Sequence, residues 1–132
     1  MRRLREALQG ERGSSPVEFV LVGSLLTLLT LAVLQFGLSV YVRNVVHDAA
    51  VEGAHFAALA DTSLSQGADR TRLIVTRAVG ASYAQSVAVS ETRALGYDSV
   101  EVTVTTTLPL LGLLGAPRAL EVTAHAPIET LE

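Results

Sequence analysis

The distribution of apolar and polar residues begins with one long uncharged segment. Residues 19–42 are 24 successive residues without a charged side chain. A helix of that length spans about 36 Å, more than the bilayer hydrocarbon core of about 30 Å. The apolar region of a secretory signal peptide is shorter, about 7–15 residues, and a small-residue cleavage site follows it closely. A chain of this size could hardly bury such a helix all round, so we predict a transmembrane helix over residues 14–42.

Helical periodicity continues beyond the apolar run. In "YVRNVVHDAAVEGAHFAALAD" the apolar and small residues recur at spacings of three and four, which indicates an amphipathic helix. This face comprises Val42, Val45, Val46, Ala49, Gly53, Phe56 and Ala60. We therefore expect one helix from about Pro16 to about Ala60, in which residues 43–60 are an extracytoplasmic extension.

The remaining residues, 61–132, predict a small exported α+β domain. "DTSLSQGAD" indicates a loop, and residues 68–85 indicate a second amphipathic helix. Its apolar side would carry Ala68, Ile74, Ala78 and Ala81. Alternating patterns then predict strands in "SVAVSE", "SVEVTVTTTL" and "ALEVTAHAP", with a turn at "LGYD" and a hairpin loop or short helix at "PLLGLLGAP". The fold class is therefore α+β: a long N-terminal helix, transmembrane then amphipathic, a second shorter helix, and a small antiparallel sheet of about three strands.

The charge distribution predicts the orientation in the membrane. All ten basic residues are arginines, and four of them lie within the first twelve residues. From residue 13 onward there are six arginines and eleven acidic residues, a net charge of −5. By the positive-inside rule, residues 1–13 are a basic cytoplasmic leader and the C-terminal domain lies outside. The acidic domain offers no direct signal for nucleic-acid binding, and the absence of cysteine excludes disulfides.

No motif for catalysis or for cofactor binding is present. The chain lacks HExxH, GxSxG and a phosphate loop ending in GK[ST]. His47 and His55 share a helix face, but nothing completes a metal's coordination shell around them. His125 is isolated within a predicted strand. We therefore predict a protein that is not an enzyme and has no catalytic, cofactor-binding or metal site.

A carboxylate, Glu18, stands just before the apolar run. Ser15-Pro16-Val17-Glu18 has the form of a capping box, in which Ser15 is the N-cap and Glu18 reaches back to an unpaired backbone N–H. A negative charge there also suits the positive end of the helix dipole. On this interpretation Glu18 only begins the helix.

The same stretch also resembles a type IV prepilin signal. A short basic leader ends in Gly13, "SSPV" follows, and Glu18-Phe19 precede the apolar helix. The resemblance implies that a membrane-embedded prepilin peptidase cuts between Gly13 and Ser14, which makes Glu18 the fifth residue of the mature chain. The cut would create a cationic α-amine at Ser14 with which the Glu18 of a neighbouring subunit could pair. Both interpretations of Glu18 are compatible.

Residues 11–60 are similar to the TadE-like family of pseudopilins or minor pilins, which belong to tight-adherence (Tad, or Flp) pilus systems. The similarity rests on "GSSPVEFVLV", on the pair Phe36-Gly37, and on an "AAxEGA" block on the extended helix. That block consists of Ala49, Ala50, Glu52, Gly53 and Ala54. The family usually has arginine before the glutamate and after the last alanine, where this chain has Val51 and His55. The terminal "LEVTAHAPIE" is weakly similar to the family's last strand.

The resemblance implies a TadE-like pilin precursor that serves in the assembly of a type IV pilus or is incorporated in it. The implied location is the bacterial cytoplasmic membrane, crossed once, or the pilus itself. Implied partners are the prepilin peptidase, other pilins or pseudopilins, the assembly platform and membrane lipid, and no cofactor is implied. The alternative is an uncleaved, membrane-anchored exported binding domain.

The apolar helix also carries a narrow stripe of small residues. Gly23, Thr27, Thr30 and Gly37 fall within about 80° of one another at 100° per residue. Small residues at such spacing allow transmembrane helices to approach closely, and we predict that the stripe packs against another helix. Because small residues are common in membrane helices, chance is the alternative.

Overall fold

The structure, a computed structural model, describes residues 14–107 and 119–130. Its elements are α1 (Ser14–Ala58), α2 (Leu64–Ala78), a short 3-10 turn (Ala81–Tyr83), β1 (Ser86–Thr92), β2 (Ser99–Thr107) and β3 (Ala119–Pro127). The predicted α+β class, with a long helix, a shorter helix and a three-stranded antiparallel sheet, is confirmed. The leader 1–13 and the segment "PLLGLLGAP" lie outside the described residues.

The first half of α1 is a candidate membrane span. The chain divides into two compact units after Phe36. Every residue from 14 to 34 is exposed, and Phe19 exposes 80% of its surface. Among the described residues, α1 alone is long and apolar enough to cross a bilayer. A helix that is apolar all round but has no protein packed against it is the kind of surface that lipid covers.

The start of α1 differs from the expectation. Within the described chain α1 begins at Ser14, so Ser15 lies inside the helix and cannot be its N-cap. The predicted capping box is therefore wrong.

The second half of α1 forms one side of the domain core. Val42, Val46, Ala49 and Gly53 are buried as predicted, but Ala60 lies beyond the helix, which ends at Ala58. The Thr62 hydroxyl donates to the carbonyl oxygens of Phe56 and Leu59 in the final turns. These two bonds satisfy carbonyl groups that a helix end leaves unpaired. The helix α1 thus ends two residues before the predicted end.

The second helix lies earlier in the chain than predicted. A capping box precedes it: the Gln66 N–H donates to Ser63 Oγ over 3.3 Å, and the Ser63 N–H donates to Gln66 Oε1 over 2.8 Å. Gly80 follows the helix with φ +113°, a conformation that favours glycine. The predicted range 68–85 is therefore wrong at both ends, because the start signal lay inside the stretch interpreted as a loop.

The buried side of α2 is also different from the predicted one. Ala68 is buried and Ile74 is half-buried, but Ala78 and Ala81 are exposed. The buried residues of the helix are Gly67, Ala68, Thr71 and Val75. Small residues rather than the largest apolar ones therefore face the rest of the domain.

The sheet follows the predicted alternation. Its strand order is β1-β2-β3, antiparallel throughout, and Val102 lies between Val89 and Ala124. One face of β2 and β3 is buried against the helices, through Val100, Val102, Val104, Leu120, Val122, Ala124 and Ala126. The other face is polar. Because side chains alternate between faces, one covered face is enough to set the register.

The polar face contains an ion pair that corrects one expectation. His125 is not isolated: its Nε2 lies 2.9 Å from Glu101 Oε2 on β2, its partner in the register. Next to this pair, the hydroxyls of Thr103 and Thr123 lie 3.3 Å apart. Cross-strand pairs of this kind contribute to the pairing of β2 with β3.

Candidate functional site

The predicted processing site is only partly within the described chain. Gly13 lies outside the described residues, and Ser14 is the first residue of α1. Glu18 and Phe19 are exposed one helical turn later. No ion pair within the described residues engages the Glu18 carboxylate.

The small-residue stripe on the apolar half of α1 satisfies its own hydroxyl groups. Thr27 Oγ1 donates to the Gly23 carbonyl over 2.8 Å, and Thr30 Oγ1 donates to the Leu26 carbonyl over 2.8 Å. A Cβ atom added at Gly23 or Gly37 would meet nothing within 4 Å. The stripe therefore needs no hydrogen-bonding partner, and helix packing along it stays a prediction that rests on shape alone.

The "AAxEGA" block is where α1 meets the rest of the domain. Ala49, Ala50, Gly53 and Ala54 are all buried, whereas Glu52 is exposed. The four buried residues have small side chains or none. They form a smooth face on α1 to which other elements can pack closely.

The block's glycine marks the closest approach of the two helices. A Cβ atom added at Gly53 would collide with Thr71 Oγ1 and lie 2.9 Å from the Gly67 carbonyl oxygen. A Cβ atom added at Gly67 would collide with Ala57 and lie 2.8 Å from the Gly53 carbonyl oxygen. The two glycines therefore allow α2 to lie against α1 with backbone nearly touching backbone.

The glutamate of the block forms an exposed ion pair between the same two helices. Glu52 Oε1 lies 3.0 Å from Arg70 Nη2 on α2, and both side chains are about half exposed. The Arg70 guanidinium also lies 5.9 Å from the centre of the Phe56 ring. An exposed ion pair contributes about 0–1 kcal/mol, so Glu52 orients α2 more than it stabilises it.

Sequence reasoning missed the second partner of this crossing. Gly67, Arg70 and Thr71 all lie on α2. The sequence analysis placed Gly67 in a loop and predicted no role for Arg70 or Thr71. One signal was available: Gly67 and Thr71 are four residues apart, the small-xxx-small spacing that was noted only in the apolar helix. The Thr71 side chain is buried, and its hydroxyl donates to the Gly67 carbonyl over 3.0 Å.

The described residues contain no group of three or more histidine, aspartate or glutamate side chains that could hold a metal ion. The helix α1 has two successive segments: a predominantly apolar, exposed first half and a second half that packs into the domain core.

Most of the helix α1 matches the model of a known protein family. Residues 13–55 match the model of the TadE-like protein family. The match contains the apolar half of α1, Glu18-Phe19 and the whole AAxEGA block, and it agrees with the resemblance seen in the sequence. No curated protein and no solved structure matches the chain. The TadE-like region is thus the helix α1, without its last turn.

We predict that Gly53→Ala destabilises the domain by about 1–3 kcal/mol, because the added methyl group must displace the backbone of α2. Thermal unfolding of the full chain in detergent, followed by the circular dichroism of the sheet, measures the change. Gly37→Ala is the matched control on the same helix. It adds the same methyl group into open space and should leave the unfolding temperature unchanged or slightly raised. Equal effects of the two substitutions would contradict a tight crossing at Gly53.

Proposed function

We propose that this protein is a pilin-like precursor and a component of a Tad (Flp) type IV pilus system. The observation that carries the proposal is the TadE-like match, which begins at Gly13 and continues through the apolar helix to His55. Its role is structural: it assembles the pilus or is incorporated in it, and it catalyses no reaction. Its partners are other pilins or pseudopilins and the assembly platform in the membrane.

The N-terminus supports processing by a prepilin peptidase. The residues before the apolar helix combine a basic leader, a glycine and the pair Glu18-Phe19. α1 is helical from Ser14, so a chain cut after Gly13 would begin directly with the helix. Its new α-amine would lie at the positive end of the helix dipole, where a cation is unfavourable. A carboxylate such as that of Glu18 offsets this cost within the subunit or from a neighbour.

The first test is the mass of the mature protein. Mass spectrometry of the protein extracted from membranes should show the loss of residues 1–13 in cells that contain an active prepilin peptidase. Gly13→Val should block the cut, because a pocket shaped for glycine has no room for a branched side chain. Gly23→Val, farther along the helix, is the control and should be cut normally. An intact chain starting at Met1 would favour the uncleaved, membrane-anchored binding domain.

A second test concerns topology. The arginine-rich leader should face the cytoplasm, and residues 61–132 should face the outside. Alkaline phosphatase fused after Ala60 or after Glu132 should be active in both cases, and cytoplasmic reporters at the same positions should be inactive. Cytoplasmic activity at either position would show that the span or its orientation is wrong.

A third test separates pairing between subunits from a local role of Glu18. Glu18→Gln keeps the size and the hydrogen-bonding capacity of the side chain and removes its charge. If Glu18 pairs with the α-amine of a neighbour, the variant leaves a charge without its partner inside the assembly. Such a loss costs about 3–5 kcal/mol when the pair is buried. The variant should therefore be inserted and cut but should fail to enter assemblies.

Crosslinking measures this outcome, because the chain has no cysteine of its own. Single cysteines at Thr27 or Thr30 report contacts between helices in the membrane. We expect crosslinks to other pilins with Glu18 and few with Glu18→Gln. Asp48→Gln, which also removes one exposed carboxylate from α1, is the control and should crosslink normally. Unchanged crosslinking in Glu18→Gln would leave no role for pairing with a neighbour.

A further inference from the structure

The two helices of the domain form an antiparallel hairpin. A connection of five residues, 59–63, joins them. Gly67 lies against Ala57 and Gly53, and three residues later Arg70 reaches back to Glu52. As α2 advances, its contacts therefore move toward the N-terminus of α1. Its last turn therefore lies nearer to Val42, where the apolar run of α1 ends, than its first turn does.

The arginines of the described domain differ in their partners. Three are paired: Arg70 with Glu52 at 3.0 Å, Arg72 with Asp69 at 3.0 Å, and Arg93 with both carboxylate oxygens of Asp98. The hydrogen bond from Arg93 lowers the pKa of Asp98 below its usual value.

The other two arginines in the described part of the domain have no partner there. Arg43 and Arg77 are exposed, and neither forms a hydrogen bond or an ion pair within residues 14–107 and 119–130. In a domain with an excess of acidic residues, two arginines without an acidic neighbour call for another source of negative charge.

The two unpaired arginines lie at the same end of the hairpin. Arg43 follows Val42 directly, and Arg77 belongs to the last turn of α2. Continuing the helix register from Arg70 by two turns places Arg77 level with the first turns of α1 after the apolar run. The helix dipole favours a cation at the position of Arg77, but it does not account for Arg43. Tyr41, which exposes 52% of its surface, completes this end.

Acidic groups gather at the opposite end. The Glu129 N–H donates to the carbonyl of Ala58 over 3.0 Å, and the Ile128 N–H donates to the carbonyl of Asp98 over 3.1 Å. These bonds hold Glu129 and Asp98 beside the C-terminal end of α1, near Asp61. Because Arg93 pairs with Asp98, Asp61 and Glu129 are the carboxylates of this group that have no arginine partner within the described residues.

We propose that Arg43 and Arg77 bind the phosphate groups of phospholipids, so that this end of the domain rests on the headgroup layer. A tyrosine and an arginine directly at the end of an apolar span are typical of the membrane interface, where the ring and the guanidinium lie among headgroups. Arg77 adds a second cation at the same level from another helix. The proposal rests on the membrane anchorage of α1 that the proposed function includes, and on no other part of that function.

The test uses the full chain in nanodiscs that contain nickel-chelating lipid headgroups. Because the chain has no cysteine, a spin label on Ser82→Cys, just after α2, reports on the arginine end, and one on Ala94→Cys reports on the opposite end. Adding phosphatidylglycerol to phosphatidylcholine should increase the relaxation of the Ser82 label by nickel and leave the Ala94 label unchanged. High salt should reverse the increase.

The variant Arg43→Gln/Arg77→Gln should lose this response. Each arginine near an anionic surface contributes about 1 kcal/mol, so each replacement should lower the ratio of bound to unbound domain about fivefold. Arg93→Gln removes one positive charge elsewhere, from the pair with Asp98, and is the matched control for the single variants Arg43→Gln and Arg77→Gln. It should respond like the wild type.

Three outcomes would overturn the proposal: no response of the Ser82 label to anionic lipid, a response that survives in Arg43→Gln/Arg77→Gln, or an equal loss in the control variant. A label that responds only when an acidic protein is added would assign this end to a protein partner instead. Co-elution of the chain with the nanodisc reports anchorage separately. Failure to co-elute would contradict the anchored protein of the proposed function as well.

Discussion

The domain depends on the close approach of α1 and α2 at Gly53 and Gly67. At that point the backbone of each helix leaves no room for a side chain on the other. This close approach fixes the position of α2 on α1. The buried alanines of the AAxEGA block form a flat surface on α1 on both sides of Gly53. Once α2 is in place, its next turns contact β1: Arg72 Nη2 donates to the Val87 carbonyl over 3.2 Å. The sheet is thereby joined to the hairpin at its first strand.

This constraint explains how a helix whose first half is a candidate membrane span can also support a folded domain. The first half of α1 is predominantly apolar, and in lipid its backbone groups would be satisfied by hydrogen bonds within the helix. The second half has little apolar area per residue, because most of its buried residues are alanine and valine. Close packing compensates, since small side chains bring more backbone atoms into contact. The TadE-like match ends at His55, before Ala57 and Ala58 complete this packing face.

The fold was predictable where a residue pattern has one physical meaning. Alternation in "SVEVTVTTTL" yields β2 because only one face of the sheet is covered, and the run of apolar residues yields the first half of α1. The start of α2 was not found, since Ser63 and Gln66 are polar residues that suit a loop as well as a helix cap. The pairs Gly53–Gly67 and Glu52–Arg70 join residues 14 and 18 positions apart, so no local pattern reports them. The proposed pairing of Glu18 involves other subunits, which a single chain does not include.

The central claim is that residues 42–58 of α1 and the sheet form one cooperative unit although the same helix contains the candidate membrane span. Hydrogen exchange of the full chain in nanodiscs, followed by mass spectrometry as denaturant is added, tests it most directly. The account predicts that the amides of residues 42–58, α2 and β2 exchange through one common opening with the same free energy and the same dependence on denaturant. Exchange of residues 42–58 that is fast, or that is independent of the opening of β2, would contradict it.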